Sequence, residues 1–118
     1  MEASFTPDEL SAARARRFVR SALDGMVPAP VVDDAVLVAS ELTTNALLHA
    51  RTPFDVVVTI DGFVRIDVTD GSQELPTPRR IAVDSDTGRG LHVVGQLARR
   101  WGAAPTDHGK RVWAELDY

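Results

Sequence analysis

The sequence predicts an α+β fold, a two-layer sandwich in which a mostly antiparallel sheet is covered on one face by about three helices. Two observations lead to this prediction: amphipathic stretches with helical spacing, and two pairs of strand-like runs that are each joined by a short turn containing glycine. The predicted order is helix, helix, hairpin, long loop, helix, hairpin. Helices grouped apart from antiparallel hairpins are typical of α+β proteins.

The first helix is predicted to begin near Thr6 and to end at Gly25. Thr6 can cap the helix, Pro7 suits its first position, and Glu9 can reach back as in a capping box. Apolar residues then recur at helical spacing: Ala15, Phe18, Val19 and Ala22.

A second helix is predicted over residues 31–50, with a first half that is apolar nearly all round and therefore buried. Residues 55–60 and 63–69 are rich in β-branched side chains and flank Asp61-Gly62. An Asp-Gly pair between such runs is a strong hairpin signal.

Residues 71–89 show no periodicity and predict a long loop, which in a compact domain is usually functional or disordered. A third helix follows, marked by apolar residues from Leu91 to Trp101, with Gly102 as its cap. Arg99 and Arg100 suit the negative end of its dipole. Residues 103–106 and 111–116, around Asp107-His108-Gly109, predict the second hairpin.

The length and charge of the chain limit its class. A length of 118 residues fits a single domain spanning 1–118. The net charge of −4 disfavours direct binding to nucleic acid, although four arginines cluster in the first helix, where we interpret them as a solvated face: Arg14, Arg16, Arg17 and Arg20.

Several signals are absent from the sequence. There is no cysteine, so thiolate chemistry is excluded. No apolar run approaches the ~20 residues that span a bilayer, and the N-terminus does not resemble a signal peptide. We therefore expect a cytoplasmic protein that does not enter a membrane.

Three polar residues, Glu41, Asn45 and His49, recur every fourth position and share one stripe of the second helix. Asparagine is unfavourable within a helix because its amide competes with the backbone. The stripe is either a solvated edge or a site in which the Asn45 oxygen ligates Mg²⁺ and Glu41 handles a proton.

Two further motifs each have a structural and a functional interpretation. Asp70-Gly71 is either a turn or a carboxylate that accepts a hydrogen bond from the adenine amino group, with Gly71 admitting the base. Gly88-Arg89-Gly90 precedes the third helix, where exposed backbone N–H groups can bind phosphates. It is neither a Walker loop nor a dinucleotide-binding fingerprint.

Together these motifs resemble the ATP-binding domain of gyrase, histidine kinases and heat-shock chaperone ATPases (the Bergerat or GHKL fold). The resemblance covers about residues 8–118. It is greatest for the stand-alone branch that contains bacterial anti-sigma factors with serine kinase activity. The segments that carry it are Glu-Leu-Thr-Thr-Asn-Ala (41–46), Asp-Gly (70–71), Gly-Arg-Gly-Leu (88–91) and Val-Trp-Ala-Glu-Leu (112–116).

The resemblance implies a role for each motif. Asn45 would hold Mg²⁺ across the phosphates, Glu41 would be the catalytic base, and Asp70 with Gly71 would bind adenine. Gly88, Arg89 and Gly90 would contact the phosphates, and residues 72–87 would form the ATP lid. His49 would cap the end of the second helix.

Three positions depart from the family pattern. Asp70-Gly71 is followed by Ser72-Gln73-Glu74, so the glycines of the usual Asp-x-Gly-x-Gly box are not in register. Leu48 stands where histidine kinases place a basic residue that contacts phosphate. Arg111 stands where relatives have a threonine near adenine, which bears on nucleotide affinity.

The function implied by the resemblance is an anti-sigma factor that uses Mg²⁺-ATP to phosphorylate a serine of an anti-anti-sigma (STAS-type) partner and that sequesters a sigma factor. The resemblance leaves open whether the chain forms a homodimer. The alternative is a catalytically inactive binding module of the same fold. A histidine kinase is disfavoured, because no preceding helical hairpin carries a phosphoacceptor histidine.

Overall fold

The structure, a computed structural model, describes residues 1–72 and 90–118, and it confirms the predicted α+β sandwich. The elements in chain order are β1 (Glu2–Phe5), α1 (Glu9–Leu23), α2 (Ala29–Asn45), a π-helical turn (Ala46–Ala50), β2 (Phe54–Ile60), β3 (Val64–Asp70), α3 (Gly90–Leu97), β4 (Arg100–Pro105) and β5 (Lys110–Leu116). The five described strands form one antiparallel sheet in the order β1-β2-β3-β5-β4.

The start of α1 differs from the predicted cap. Asp8, not Thr6, is the N-cap, because its carboxylate accepts a hydrogen bond from the backbone N–H of Leu10 at 3.0 Å. The Thr6 hydroxyl instead donates to Asp8. The predicted end is confirmed: α1 stops at Leu23 and Gly25 adopts a positive φ of 79°.

The second helix was predicted to continue to Ala50, and its last turn is different. The α-helical geometry ends at Asn45, and Ala46–Ala50 form a π-helical turn. The backbone N–H of Arg51 closes this turn on the Ala46 carbonyl at 3.0 Å, and Arg51 is left-handed, with a φ of 55°. Single π turns often occur at functional sites.

Both predicted hairpins are present. In the first, β2 and β3 pair from Phe54↔Asp70 to Ile60↔Val64, and Gly62 supplies the positive φ of 72° in the turn. In the second, β4 and β5 pair from Arg100↔Glu115 to Pro105↔Lys110.

The prediction for the third helix was wrong at its C-terminal end. The helix ends at Leu97, and residues 100–102, which were assigned to its last turn and cap, begin β4. The Arg99 backbone N–H already donates to the Glu115 carbonyl, at 2.8 Å, so sheet pairing begins directly after the helix. Strand β1 was not predicted, because four residues carry too little pattern.

The two faces of the sheet differ in chemistry. The inner face packs on the helices and holds the alternating apolar residues of the three central strands: Phe54, Val56, Val58, Val64, Ile66, Val68, Val112, Ala114 and Leu116. The outer face carries ion pairs. Burial alone would raise the pKa of Glu115, but hydrogen bonds from Arg100 and Arg65 lower it below its ordinary value. Across the described ranges, 1–72 and 90–118, no helix is long and apolar enough to span a bilayer.

Candidate functional site

The C-terminal end of α2 lies near the end of β3, so the elements that carry Asn45 and Asp70 meet at one end of the sheet. The π-helical turn contacts β3, and only residues 51–53 separate it from Phe54, which pairs with Asp70. The Gly71 N–H donates to the Thr52 hydroxyl oxygen at 2.8 Å and fastens this connection to the end of β3.

Asn45 is the most informative residue on the helix. The residue is only 9% exposed, and its amide makes no hydrogen bond to any residue of the described ranges. The amide atoms are not among the fully buried, unpartnered side-chain atoms of the described residues. Polar groups of largely buried residues are normally hydrogen-bonded, so an amide that keeps its hydrogen-bonding capacity at this position fits a ligand-binding group.

Glu41 lies one helical turn before Asn45 and is half-buried. Desolvation by burial raises the pKa of its carboxyl group. It forms no ion pair with Arg51 or with any other residue that the structure describes. A carboxylate whose pKa is raised in this way is better matched to proton transfer near neutral pH than an ordinary one.

Asp70, the predicted adenine-binding carboxylate, has an ion-pair partner that the sequence analysis missed. The Lys110 ammonium lies 2.9 Å from Oδ2 and 3.1 Å from Oδ1 of Asp70, and both side chains are only 2% exposed. The Ser72 backbone N–H also donates to Oδ1, at 2.9 Å. The carboxylate is therefore buried and hydrogen-bonded on both of its oxygens.

A glycine makes this contact possible. A Cβ at Gly109 would lie 1.8 Å from the Asp70 carbonyl oxygen, which is far inside van der Waals contact. Only glycine lets the start of β5 approach the end of β3 so closely. This approach places Lys110, the next residue, opposite Asp70 in the sheet register.

The structure does not place Arg111 beside Asp70, the predicted adenine-binding residue. Arg111 is exposed on the outer face of the sheet, where its guanidinium group lies 3.9 Å from Asp67. Because side chains alternate along a strand, the residue of β5 that faces the helices at this level is Lys110. The signal was present in the sequence: Lys110 is in phase with the buried Val112 and Ala114, and it is the single lysine of the chain.

The glycine motif is described only in part. Gly90 is the first residue of α3, as the motif predicted. Gly88 and Arg89 lie outside the described residues, and so does the predicted lid of residues 72–87, except for Ser72.

The residues of the site fit Mg²⁺ only together with a bound phosphate group. Within residues 1–72 and 90–118, no cluster of three His, Cys, Asp or Glu side chains could hold a metal ion. Mg²⁺ is usually bound by one or two protein oxygens together with substrate phosphates and water, rather than by an all-protein cage. The unpaired Asn45 amide oxygen can supply one such protein ligand.

Comparison with known families decides what this arrangement is. The model of the histidine kinase-like ATPase domain matches residues 4–116. The chain belongs to that family. Membership implies ATP as its ligand.

A solved structure supports the same fold. The crystal structure of the RsbU and RsbW domains of Rv1364c from Mycobacterium tuberculosis is similar to this chain, with a TM-score of 0.73 and 19% sequence identity. The match covers 99% of this chain and 32% of that chain, so this histidine kinase-like ATPase domain spans about a third of the larger protein's length. No curated protein matches the sequence.

Proposed function

We propose that this histidine kinase-like ATPase domain is a cytoplasmic regulator that binds Mg²⁺-ATP and transfers its γ-phosphoryl group to a serine of an anti-anti-sigma (STAS-type) protein. Its second proposed role is to sequester a sigma factor. Family membership supports ATP as the ligand, and the fold shared with a solved protein that contains an RsbW domain supports the regulatory role. The observation that carries the proposal is the amide of Asn45, which has no hydrogen-bond partner among the described residues although the residue is only 9% exposed.

Each residue would have a distinct task in the transfer. Asn45 holds the metal with its amide oxygen, and Mg²⁺, when bound, neutralises phosphate charge. Glu41 accepts the proton of the serine hydroxyl as the serine oxygen bonds to the γ-phosphorus and the bond to the leaving ADP oxygen breaks. Phosphoryl transfer depends mainly on positioning and electrostatic stabilisation, so few protein groups are required.

Nucleotide binding can be tested by unfolding the protein in urea with and without Mg²⁺-ATP. At about a hundredfold the dissociation constant, the nucleotide should add ~2.7 kcal/mol to the free energy of unfolding. Asn45→Ala should remove most of this gain while the unliganded protein remains folded. Thr44→Ala is a matched control, because Thr44 is the preceding residue on α2 and its side chain makes no hydrogen bond to a described residue. An equal gain in all three proteins would contradict the site.

A second candidate function is a protein-binding module without phosphotransfer. The Lys110–Asp70 ion pair favours it, because the carboxylate expected to bind adenine is already occupied. Radiolabelled transfer from ATP to a candidate serine-containing partner separates the two functions. Labelled partner supports the kinase, whereas nucleotide binding without labelling supports the module.

A further inference from the structure

The carboxylate of Asp70 has almost no capacity left for a ligand. An ionised carboxylate offers about four acceptor positions. Lys110 and the Ser72 N–H use both positions of Oδ1, and Lys110 uses one of Oδ2. A single acceptor position therefore remains, on a side chain that is 2% exposed.

The amino group of adenine is a weak competitor for this carboxylate. It is a neutral donor, whereas the Lys110 ammonium makes charge-assisted hydrogen bonds, which are about twice as strong. A base that reaches Asp70 must therefore share or displace the ammonium.

The position of the two residues allows such a displacement. Asp70 is the last residue of β3 and Lys110 is the first residue of β5, so both lie where the ladder between these strands ends. The lysine side chain has a flexible four-carbon stem, which can move the ammonium group without moving the backbone.

We propose that Lys110 competes with the nucleobase for the Asp70 carboxylate and thereby sets the base selectivity of the pocket. While the ammonium stays on Asp70, the pocket distinguishes an amino group from a carbonyl oxygen on the base only weakly. When the ammonium moves away, the carboxylate accepts a hydrogen bond from the adenine amino group. This inference rests on the proposed binding of ATP and adds the residue that controls it.

Inosine triphosphate provides the matched ligand, because it carries a carbonyl oxygen where ATP carries the amino group. Calorimetric titration in the presence of Mg²⁺ should show similar affinities of the wild-type protein for both nucleotides. Lys110→Met should bind ATP at least about fivefold more tightly than the wild-type protein does. Fivefold is the lower end of typical coupling between two sites. The affinity for inosine triphosphate should not change. Arg111→Met is the control, because this neighbouring cation faces the other side of the sheet.

The outcomes separate this inference from the proposed function. If the wild-type protein binds ATP and a folded Lys110→Met variant binds it no more tightly, the ion pair is purely structural and the inference fails, while the proposed function stands. A gain that is equal for both nucleotides also overturns the inference. If neither protein binds either nucleotide, the proposed function itself fails, and the inference fails with it.

A measurement without any variant covers the case in which Lys110→Met does not fold. Because Lys110 is the single lysine, labelling with ¹⁵N-lysine gives one side-chain ammonium resonance. In the free protein this resonance should show the slow hydrogen exchange of a buried, ion-paired group. Saturation with Mg²⁺-ATP should shift it towards the position of a solvated lysine. An unchanged resonance at saturation would show that the ammonium stays on Asp70 and would overturn the inference.

Discussion

The two halves of the candidate site differ in how their polar groups are satisfied. In the helix half, formed by Glu41 and Asn45 on α2, neither side chain has a hydrogen-bond or ion-pair partner among the described residues. In the strand half, formed by Asp70 on β3 and Lys110 on β5, the charges satisfy each other. A ligand can add to the helix half directly, but it must exchange partners in the strand half. The helix half can therefore bind a ligand without losing an existing interaction. The strand half can discriminate between ligands, because only a ligand that replaces the existing partner can bind there.

The largest expected effect is in the strand half. Lys110→Met leaves the buried Asp70 carboxylate without its cation, which should lower the free energy of unfolding at neutral pH by about 3–5 kcal/mol. Arg111→Met removes an exposed cation 3.9 Å from Asp67 and should cost less than about 1 kcal/mol. Urea denaturation of both variants measures the difference.

A second variant checks the cause of this loss. Asp70→Asn combined with Lys110→Met removes both charges, so most of the lost stability should return. Equal losses in the single and double variants would mean that packing, not the unpaired charge, determines the cost.

The next effect concerns the approach of the two strands. Gly109→Ala places a methyl group where the Asp70 carbonyl oxygen lies, so the start of β5 must shift, at a cost of about 1–3 kcal/mol. Gly95→Ala is the control, because Gly95 lies within α3 and a Cβ there would be 3.6 Å from its nearest neighbour, the Trp101 indole nitrogen. That substitution should stabilise by about 0.5–1 kcal/mol. Thermal unfolding that moves both variants in the same direction would contradict the predicted contrast.

A smaller effect is expected in the helix half, and it appears in catalysis. Glu41→Gln keeps the shape of the side chain and removes the base. Transfer of labelled phosphate to the partner should fall by roughly tenfold or more, while Mg²⁺-ATP affinity stays near that of the wild-type protein. Wild-type transfer kinetics in this variant would remove Glu41 from the proposed mechanism.

The smallest effect is the pH dependence of the same residue. Burial raises the pKa of Glu41, so the folded protein binds this proton more tightly than the unfolded chain. The stabilisation is complete below the pKa of the unfolded glutamate, about 4.3, and is lost as pH rises through the higher folded pKa. The wild-type protein should therefore lose stability relative to Glu41→Gln as pH rises from about 4.3 through the higher folded pKa. Urea midpoints with the opposite trend would contradict this sign.

The sequence predicted the fold correctly where a local pattern is compatible with only one type of structure. Asp61-Gly62 between β-branched runs specifies a hairpin, and that hairpin is present. The third helix was predicted too long because Trp101 continues a helical spacing, while Trp101 and Ala103 also alternate as strand residues that pack on the core. Only the pairing with β5 decides between the two, and tertiary contacts are invisible to a local pattern.

The helix half of the site was easier to predict than the strand half. Asn45 stands out because its residue type is unfavourable within a helix. Lys110 was missed because the predicted strand began one residue later, at Arg111. The side chain of Arg111 lies on the outer face of the sheet, whereas that of Lys110 lies on the inner face. The partner of Asp70 comes from a residue forty positions away, and only the sheet register brings the two together.

The distribution of aromatic residues makes the two halves separately observable. Both tryptophans of the chain lie on the β4–β5 hairpin: Trp101 packs on the core, and Trp113 lies against Gly102 and under the Arg65 guanidinium, at 4.5 Å. Tryptophan fluorescence therefore reports the hairpin that carries Lys110, whereas far-ultraviolet circular dichroism is dominated by the helices. Unfolding curves from the two signals coincide only if both halves unfold together. A fluorescence transition that precedes the dichroism transition in Lys110→Met would locate the weakened region in the hairpin, with no probe added to the protein.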